Sequence, residues 1–483
     1  MSGKSPLSGF RASLLAQATR IAANGLVVFL LAGYFLSPTD YGLLFLAISI
    51  FGSVLFVSRA GIPKSAARYV TEYRENDPGQ IRNIVRTSLM VIVVLAVIVG
   101  LTLVVFRDLI ASVFGEPALV PLLIGGLFYV FFRSMNSYLY TLFQGFNHIK
   151  KASILSICSY VTLLIGVVTL VWLGYGAIGA LTGYVIGYGA GTVVGFVLLY
   201  FVLKNYETRP MEPGLRRRIL EYSLPLTATN GASVLYKRVD TILVGFFIGP
   251  LAVGYYVLAK QVSDFVIAPA SSLGFTISPS YAEYKATEGD GSAARIYEMA
   301  FEHTVLFYVP AAAGLALVAE PMIEHVFGAD YAGAVPVIQV FAIYIVLDAI
   351  DNITNDGLDF LGRARQRAIV KTSTGILNVL LNVALIPTIG VVGAAVSTVI
   401  CYAIMVSVNV FLIHRELSLA LRRLARSVLV ICAIAILMSV TVVVLLPLAD
   451  TLFWLLVVVG CGALTWAALA LASGIPNVKN PIT

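Results

Sequence analysis

The sequence predicts an all-α polytopic membrane protein of about 14 transmembrane helices, in two parallel six-helix lobes followed by two further helices. The first observation behind this is the solvent the chain expects. Of its 483 residues 59% are hydrophobic and only 12% are charged, with a mean hydropathy of +0.92. A soluble domain carries ~25% charge, so this chain has too little polar surface for a particle in water. The second is that apolar runs of the ~20 residues needed to cross a bilayer recur from end to end. The third is self-similarity. GYFLSPTDYG at Gly33–Gly42 returns as GFFIGPLAVG at Gly245–Gly254.

In order, spans are expected near 12–36, 39–60, 86–106, 118–142, 153–173, 177–203, 219–248, 251–277, 300–319, 333–357, 366–387, 391–413, 426–447 and 451–473. The first run lacks a small-residue cleavage site, so it reads as a retained span rather than a signal peptide. Alternate loops differ in charge. One set carries Arg59, Lys64, Arg68, Arg74, Arg82 and Arg86, then Lys150 and Lys151, then Lys204, Arg209 and Arg216–Arg218. The same set continues with Arg363–Arg367 and Arg415–Arg426. The other set carries only Arg107. Basic loops stay cytoplasmic, so a multi-pass protein of the cell membrane with both termini inside is expected. The net charge of +7 is therefore read as topology and not as nucleic-acid binding, because it is dispersed over many separate loops.

The repeat extends beyond its first match. VFG at Val113–Gly115 returns at Val326–Gly328, and GAIGA at Gly176–Ala180 returns as GVVGA at Gly390–Ala394. QGFNHIKKA at Gln144–Ala152 is similar to LGRARQRAI at Leu361–Ile369 in its glycine-then-basic pattern. Six spans is an even number, so two such halves enter from the same side and are parallel repeats. The expected domains are 1–205, 206–417 and 418–483. Repeats of this kind often bind cargo at the seam between lobes and alternate access across it, although the fold by itself names no cargo.

Two stretches then carry a family resemblance. LSPTDYGLLFLAISIFGSVLFVSRAGIPKSAARYV at Leu36–Val70 resembles the second-span signature of polysaccharide-transport flippases. GRARQRAIVKTSTGILNVLLNVALIPTIGVVGAAVSTVI at Gly362–Ile400 resembles their late-domain signature. These flippases belong to the multidrug/oligosaccharidyl-lipid/polysaccharide superfamily, which includes the lipid II flippases. The resemblance implies two six-helix lobes in a V shape with two extra C-terminal helices. It also implies a polyprenyl-(pyro)phosphate-linked glycan as cargo, membrane lipids as surroundings, and a polysaccharide polymerase or glycosyltransferases as the enzymes served.

Charges inside spans are costly and are read first as functional. Arg20, Arg133, Lys237, Arg238 and Lys260 are basic; Asp240, Asp264, Glu302, Asp348 and Asp351 are acidic. Ser13, Gln17, Arg20 and Asn24 share one helical face by their spacing. Asn230, Ser233 and Lys237 form a similar stripe in the matching span of the second half, with Thr241 continuing it. The expected headgroup site is thus Arg20, Asn24, Gln17, Lys237, Arg238, Asn230 and Arg133. For Arg20 the competing reading is snorkelling to the interface, and for Arg133 helix packing. Asp348 and Asp351, with Asn352 and Asn355 on the same helical face, suit H⁺ or Na⁺ coupling; a hydrated helix end competes. Lys260 and Asp264, at i and i+4, read most simply as a structural ion pair, and otherwise as coupling residues. The glycine ladder Gly179, Gly183, Gly187, Gly191 and Gly195 reads as helix packing, and Pro225 and Pro310 as kinks.

No cofactor or metal is expected. The four cysteines and four histidines show no ligand spacing, and no P-loop is present. The leading reading is a flippase for a lipid-linked oligosaccharide, with no catalytic motif. A cation-coupled drug or metabolite antiporter of the same superfamily is the alternative within transport. A membrane glycosyltransferase or polymerase is the alternative of another class, and the short outer loops argue against it.

Overall fold

The computed structural model describes the backbone of residues 6–474, and their side chains except at 6–8, 10, 228–237, 272, 275 and 276. The described residues form sixteen α-helices joined by short 3₁₀ and π turns, and no strand. They are α1 (Pro6–Leu30), α2 (Pro38–Arg59), α3 (Ile62–Asn76), α4 (Ile81–Val105), α5 (Arg107–Val113), α6 (Leu119–Gly145), α7 (Ile149–Leu170) and α8 (Gly176–Leu203). They continue as α9 (Leu215–Phe247), α10 (Pro250–Thr287), α11 (Asp290–Phe327), α12 (Val335–Phe360), α13 (Ala364–Ile389), α14 (Val391–Leu417), α15 (Leu421–Leu445) and α16 (Leu452–Ala472). Helices are what hydrocarbon demands, because every backbone donor must be satisfied within the segment.

Twelve segments among the described residues are long and apolar enough to cross a membrane, where the sequence led us to expect about fourteen. Two physical features make the difference. First, α7 and α8 run on through a π turn into one apolar segment, Ile149–Leu203, in which Gly174 (φ 89°) and Gly176 (φ 53°) reverse the chain. Second, α9 carries Arg216–Arg218, Glu221, Arg238 and Asp240 and is too polar to qualify by composition. The basic stretch 59–86, expected as a loop, is mostly the helix α3 and the start of α4. Its apolar residues Ile62, Ala66, Tyr69, Val70 and Tyr73 recur at helical spacing and are buried. The run is too short and too charged to resemble a span, so a search for apolar runs passes over it.

The chain divides into two compact units, 1–254 and 255–483. In the first, the glycine ladder of α8 lies on α7. A methyl group at Gly183 would sit 2.4 Å from Val167 N, one at Gly187 2.4 Å from Leu163 Cβ, and one at Gly191 1.8 Å from Ser159 Oγ. Leu155, Ser159, Leu163 and Val167 keep the same four-residue step, so two matched ridges lock the hairpin. The segment 204–214 is strapped to the α3–α4 corner. Gln80 Nε2 donates to Pro210 O (2.8 Å), Asn83 Nδ2 to Arg209 O (2.9 Å), and Arg218 Nη2 to Glu212 Oε1 (2.6 Å). Tyr73 and Arg218 donate to Glu212 and hold its carboxyl below the usual value. These ties set the start of α9 against α3, where Ser65 Oγ donates to Ile219 O (2.8 Å).

The two copies of the opening repeat meet within this unit. A methyl at Gly42 would lie 1.8 Å from Pro250 O, and one at Gly254 would lie 2.2 Å from Pro38 O. Pro38 and Gly42 thus cross Pro250 and Gly254 reciprocally, which is the pattern a local two-fold axis produces. Other matched turns share backbone conformation: Gly115 and Gly328 have φ 66° and 90°, Gly176 and Gly390 have 53° and 67°.

In the second unit α11 is central and packs on α12, α15 and α16. Pro310 and Pro321 lie inside α11, and Pro225 inside α9, without ending either helix. Glu302 of α11 accepts from Arg423 Nη2 (3.2 Å) and Ser427 Oγ (2.8 Å) of α15, and Glu298 accepts from the Ala420 N–H (2.6 Å). Trp466 Nε1 of α16 donates to Leu306 O (2.9 Å). The intramembrane acid Glu302 therefore fastens the penultimate helix to the bundle.

Candidate functional site

The interior of the first unit gathers arginines. Ser58 Oγ of α2 and Ser134 Oγ of α6 are hydrogen-bonded at 2.8 Å, which brings the next residue of α2, Arg59, near Arg133 on α6. The two guanidiniums lie within mutual electrostatic reach, and Tyr129, Tyr160 and Tyr188 lie within reach of both. Arg133 Cζ stands 4.4 Å from the centre of the Tyr188 ring, a cation–π contact, and Tyr160 lies within its electrostatic reach. Arg59 Nε is buried with no partner. Arg238 of α9 lies against Gly52 of α2, where a Cβ would be 3.0 Å from its Nε, and within electrostatic reach of Tyr184.

The tyrosines are placed by helix periodicity. Tyr184 and Tyr188 sit one turn apart on α8, and their rings meet Tyr129 at 6.4 and 5.8 Å. Asn136 Nδ2 donates to Ser159 Oγ (2.7 Å) and Thr192 Oγ1 to Phe132 O (3.3 Å), fixing α6 between α7 and α8. No ion pair among the described residues involves Arg59, Arg133 or Arg238. A guanidinium does not shed its proton to escape such a site. Three of them with tyrosine hydroxyls and ring faces, and with no ion pair among the described residues, make an environment that favours an anion.

The residues foreseen for this site are partly brought together. Arg133 and Arg238 join the cluster. Arg20 stays apart with Ser13, Gln17 and Asn24, all exposed on one face of α1, while Ala16, Ala23 and Val27 are buried on the other. The stripe itself is therefore as the spacing predicted. Asn230, Ser233 and Lys237 fall outside the described side chains. In the sequence Arg59 reads as a loop charge, and the tyrosines carry no stripe of polar spacing. The signal for both was present: Tyr184 and Tyr188 follow Gly183 and Gly187 at the same i, i+4 step, and Arg59 closes an apolar helix.

The second unit gathers carboxylates. Asp348 of α12 lies within electrostatic reach of Asp351, Asp264 and Lys260. Asn352 Nδ2 donates to Asp348 Oδ2 (3.2 Å). Asp351 accepts from Asn409 Nδ2 of α14 (3.2 Å), and Lys371 and Arg367 lie within its reach. Asn355, one turn after Asp351, accepts from Arg367 Nη1 (2.9 Å). The simple Lys260–Asp264 ion pair is not formed. Lys260 Nζ instead stands 5.2 Å from the centre of the Tyr344 ring, one turn before Asp348 on α12. Its ammonium is drawn across to α12 by that ring and by Asp348, which Asp264 on its own helix does not outweigh. Asn409, within an apolar span, was also overlooked.

Comparison with known proteins places this architecture. Over 210 residues the chain is 24% identical to the probable low-salt glycan biosynthesis flippase Agl15 of Haloferax volcanii, covering 43% of this chain and 44% of that one. It thus matches less than half the length of that relative. The structure superposes on a lipid II flippase, MurJ, in an inward closed conformation, with a TM-score of 0.75 at 18% identity, covering 97% of this chain and 99% of that one. It superposes on an inward-facing multidrug resistance transporter of the MATE family, of the MOP superfamily, with a TM-score of 0.66 at 16% identity, covering 83% and 94%. The fold is therefore the one these two transporters share. Residues 12–275, more than half of the chain, match the model of one family along a stretch that contains all three arginines, and the chain belongs to that family, the polysaccharide biosynthesis proteins.

Proposed function

We propose that the protein is a flippase that carries a polyprenyl-(pyro)phosphate-linked oligosaccharide from the cytoplasmic to the outer leaflet. The observation that carries this reading is the cluster of Arg59, Arg133 and Arg238, ringed by tyrosines and in no ion pair among the described residues. A phosphate there would meet donors from α2, α6 and α9, each charge-assisted contact contributing ~1.5–3 kcal/mol. Arg20, on the exposed face of α1 with Gln17 and Asn24, would meet the headgroup at entry, and Lys237 belongs to the same proposal from its position on α9. The polar stripe and the glycan's hydroxyls are chemically matched, and the apolar exterior suits the polyprenyl chain. Polysaccharide polymerases or glycosyltransferases would then act on either side of this step.

Asp348, Asp351 and Asp264, with Lys260 among them, supply the cation-binding chemistry for H⁺ or Na⁺ coupling in the second unit. The same arrangement would serve an antiporter, but an antiporter of cationic drugs gains nothing from three guanidiniums in no ion pair among the described residues. The experiment is binding of a short polyprenyl phosphate to the purified full-length protein by native mass spectrometry. Arg133→Ala and Arg59→Gln should each weaken binding about tenfold or more, since ~1.4 kcal/mol is a decade. Wild-type affinity in both variants would refute the site.

A further inference from the structure

The first unit contains a second feature that the cargo reading leaves unused. Between α4 and the beginning of α9 lies a cleft of about 740 Å³. Its walls are two ladders at i, i+4 spacing, Val91 and Leu95 from α4 and Leu220 and Leu224 from α9; Ala60 and Ile62 form its floor at the α2–α3 turn. Leu224 is 68% exposed, a large cost for water and none for lipid. The rim holds Arg216, Arg217 and Glu221. The geometry points to the acyl tail of an anionic phospholipid in this cleft, with its phosphate on Arg216 and Arg217.

Three observations support that occupant. The first is the division of labour among the three successive arginines. Arg218 is turned away and spent on Glu212 and Tyr73 (2.6 and 2.9 Å). Arg217 pairs with Glu221 (2.6 Å). Arg216 has no ion pair among the described residues, so the rim retains one positive charge beside an apolar slot. The second is depth. The eight residue steps of α9 from Arg216 to Leu224 rise ~12 Å, close to the ~15 Å of hydrocarbon in one leaflet. A tail rooted at the rim therefore finds wall along most of its length. The third is that the cleft is built rigidly. Ser65 Oγ holds Ile219 O at 2.8 Å, and a methyl at Gly61 would sit 2.5 Å from Ser223 O, so α9 is clamped to the floor. A free phosphate would leave the ladders in water or lipid without a partner, and a zwitterionic headgroup would leave the rim charge uncompensated. Bound there, the lipid would fill the space between α4 and α9.

The test uses the full-length protein extracted from bilayers of equal parts dioleoyl phosphatidylglycerol and dioleoyl phosphatidylcholine. Native mass spectrometry then reads the retained lipid. The wild type should keep one phosphatidylglycerol in preference to phosphatidylcholine. Arg216→Gln and Arg217→Gln should each lower that preference about fivefold, from ~1 kcal/mol per basic residue at a membrane surface. Arg216→Lys, which keeps the charge, should restore most of it. Leu220→Trp, filling the cleft, should remove retention with both arginines present. Arg59→Gln, which tests the cargo cluster instead, should leave phosphatidylglycerol retention as it is, so the two readings fail separately. Equal retention of both lipids by the wild type would overturn the inference. So would undiminished retention in the Arg216→Gln and Leu220→Trp variants, or displacement of the bound lipid by a polyprenyl phosphate at equal concentration, which would make the cleft a cargo entrance.

Discussion

Gly42→Ala tests the crossing at which the two repeat copies meet. The added methyl would lie 1.8 Å from Pro250 O and 2.7 Å from its carbonyl carbon, both backbone atoms that cannot swing aside. Ordinary carbon contacts are ~3.5–4.0 Å, so the ends of α2 and α10 must part by about 1.5–2 Å. Overpacking of this kind costs ~1–3 kcal/mol. Gly254→Ala pushes on the same crossing from the other side, with its methyl 2.2 Å from Pro38 O. Once one substitution has opened the crossing, the second has less to open. The double variant should therefore lose less than the sum of the singles, by about 0.5 kcal/mol or more. Apparent melting temperatures of the four purified proteins, measured in one detergent, give the cycle. Gly42→Ala melting with the wild type, or a double variant equal to the sum, would refute a shared close crossing.

Arg133→Ala, at matched abundance in the membrane, should reduce glycan export by about tenfold or more. Arg133→Lys should keep part of it, because the ammonium still faces Tyr188 but lacks the planar fork; export by the two variants distinguishes charge from geometry. Asp348→Asn should abolish the dependence of transport on an imposed ion gradient while leaving polyprenyl phosphate binding measurable, and unchanged gradient dependence would exclude that carboxylate. Arg423→Ala leaves Glu302, 7% exposed, with the Ser427 hydroxyl alone. It should loosen α15 at a cost of ~1–3 kcal/mol, seen as faster proteolysis between α14 and α15.

Much of the fold is legible because the bilayer leaves the backbone few options. Long apolar runs report helices directly, and the step of four in Gly179–Gly195 reports a helix contact that the structure confirms atom by atom. The stripe of Ser13, Gln17, Arg20 and Asn24 is likewise a pure consequence of helix geometry. What escapes is whatever depends on a partner in another helix. Arg59 reads as loop charge until Ser58 meets Ser134 and sets it beside Arg133. Tyr160 and Tyr188 look like ordinary apolar filling until they are seen to flank a guanidinium. Lys260 and Asp264 have ion-pair spacing, yet the ring of Tyr344 and the carboxylate of Asp348 draw the ammonium elsewhere. α3 is missed for a different reason: an amphipathic helix of fifteen residues has neither the length nor the apolarity by which spans are found.

The charges of the two units are opposite in kind, and this constrains any mechanism. Three guanidiniums with no ion pair among the described residues attract an anion and repel a cation. Asp348 and Asp264 beside Lys260, and Asp351 between Lys371 and Arg367, mix carboxylates with cations and suit a small cation or a proton better than an anion. On the proposed function the two clusters serve two ligands, one anionic and one cationic. For one to drive the other, cation binding must favour the conformation in which the anion site has changed its affinity. By linkage the anion must then alter cation affinity by the same factor. A tenfold coupling needs only ~1.4 kcal/mol, of the order of the overpacking at one glycine crossing or the loss of one charge-assisted contact. Coupling of that size does not require a wire of residues between the clusters. It requires two packings of the helices that differ at a few close contacts, and the reciprocal crossing of Pro38–Gly42 with Pro250–Gly254 is the kind of contact that one packing can keep and the other give up.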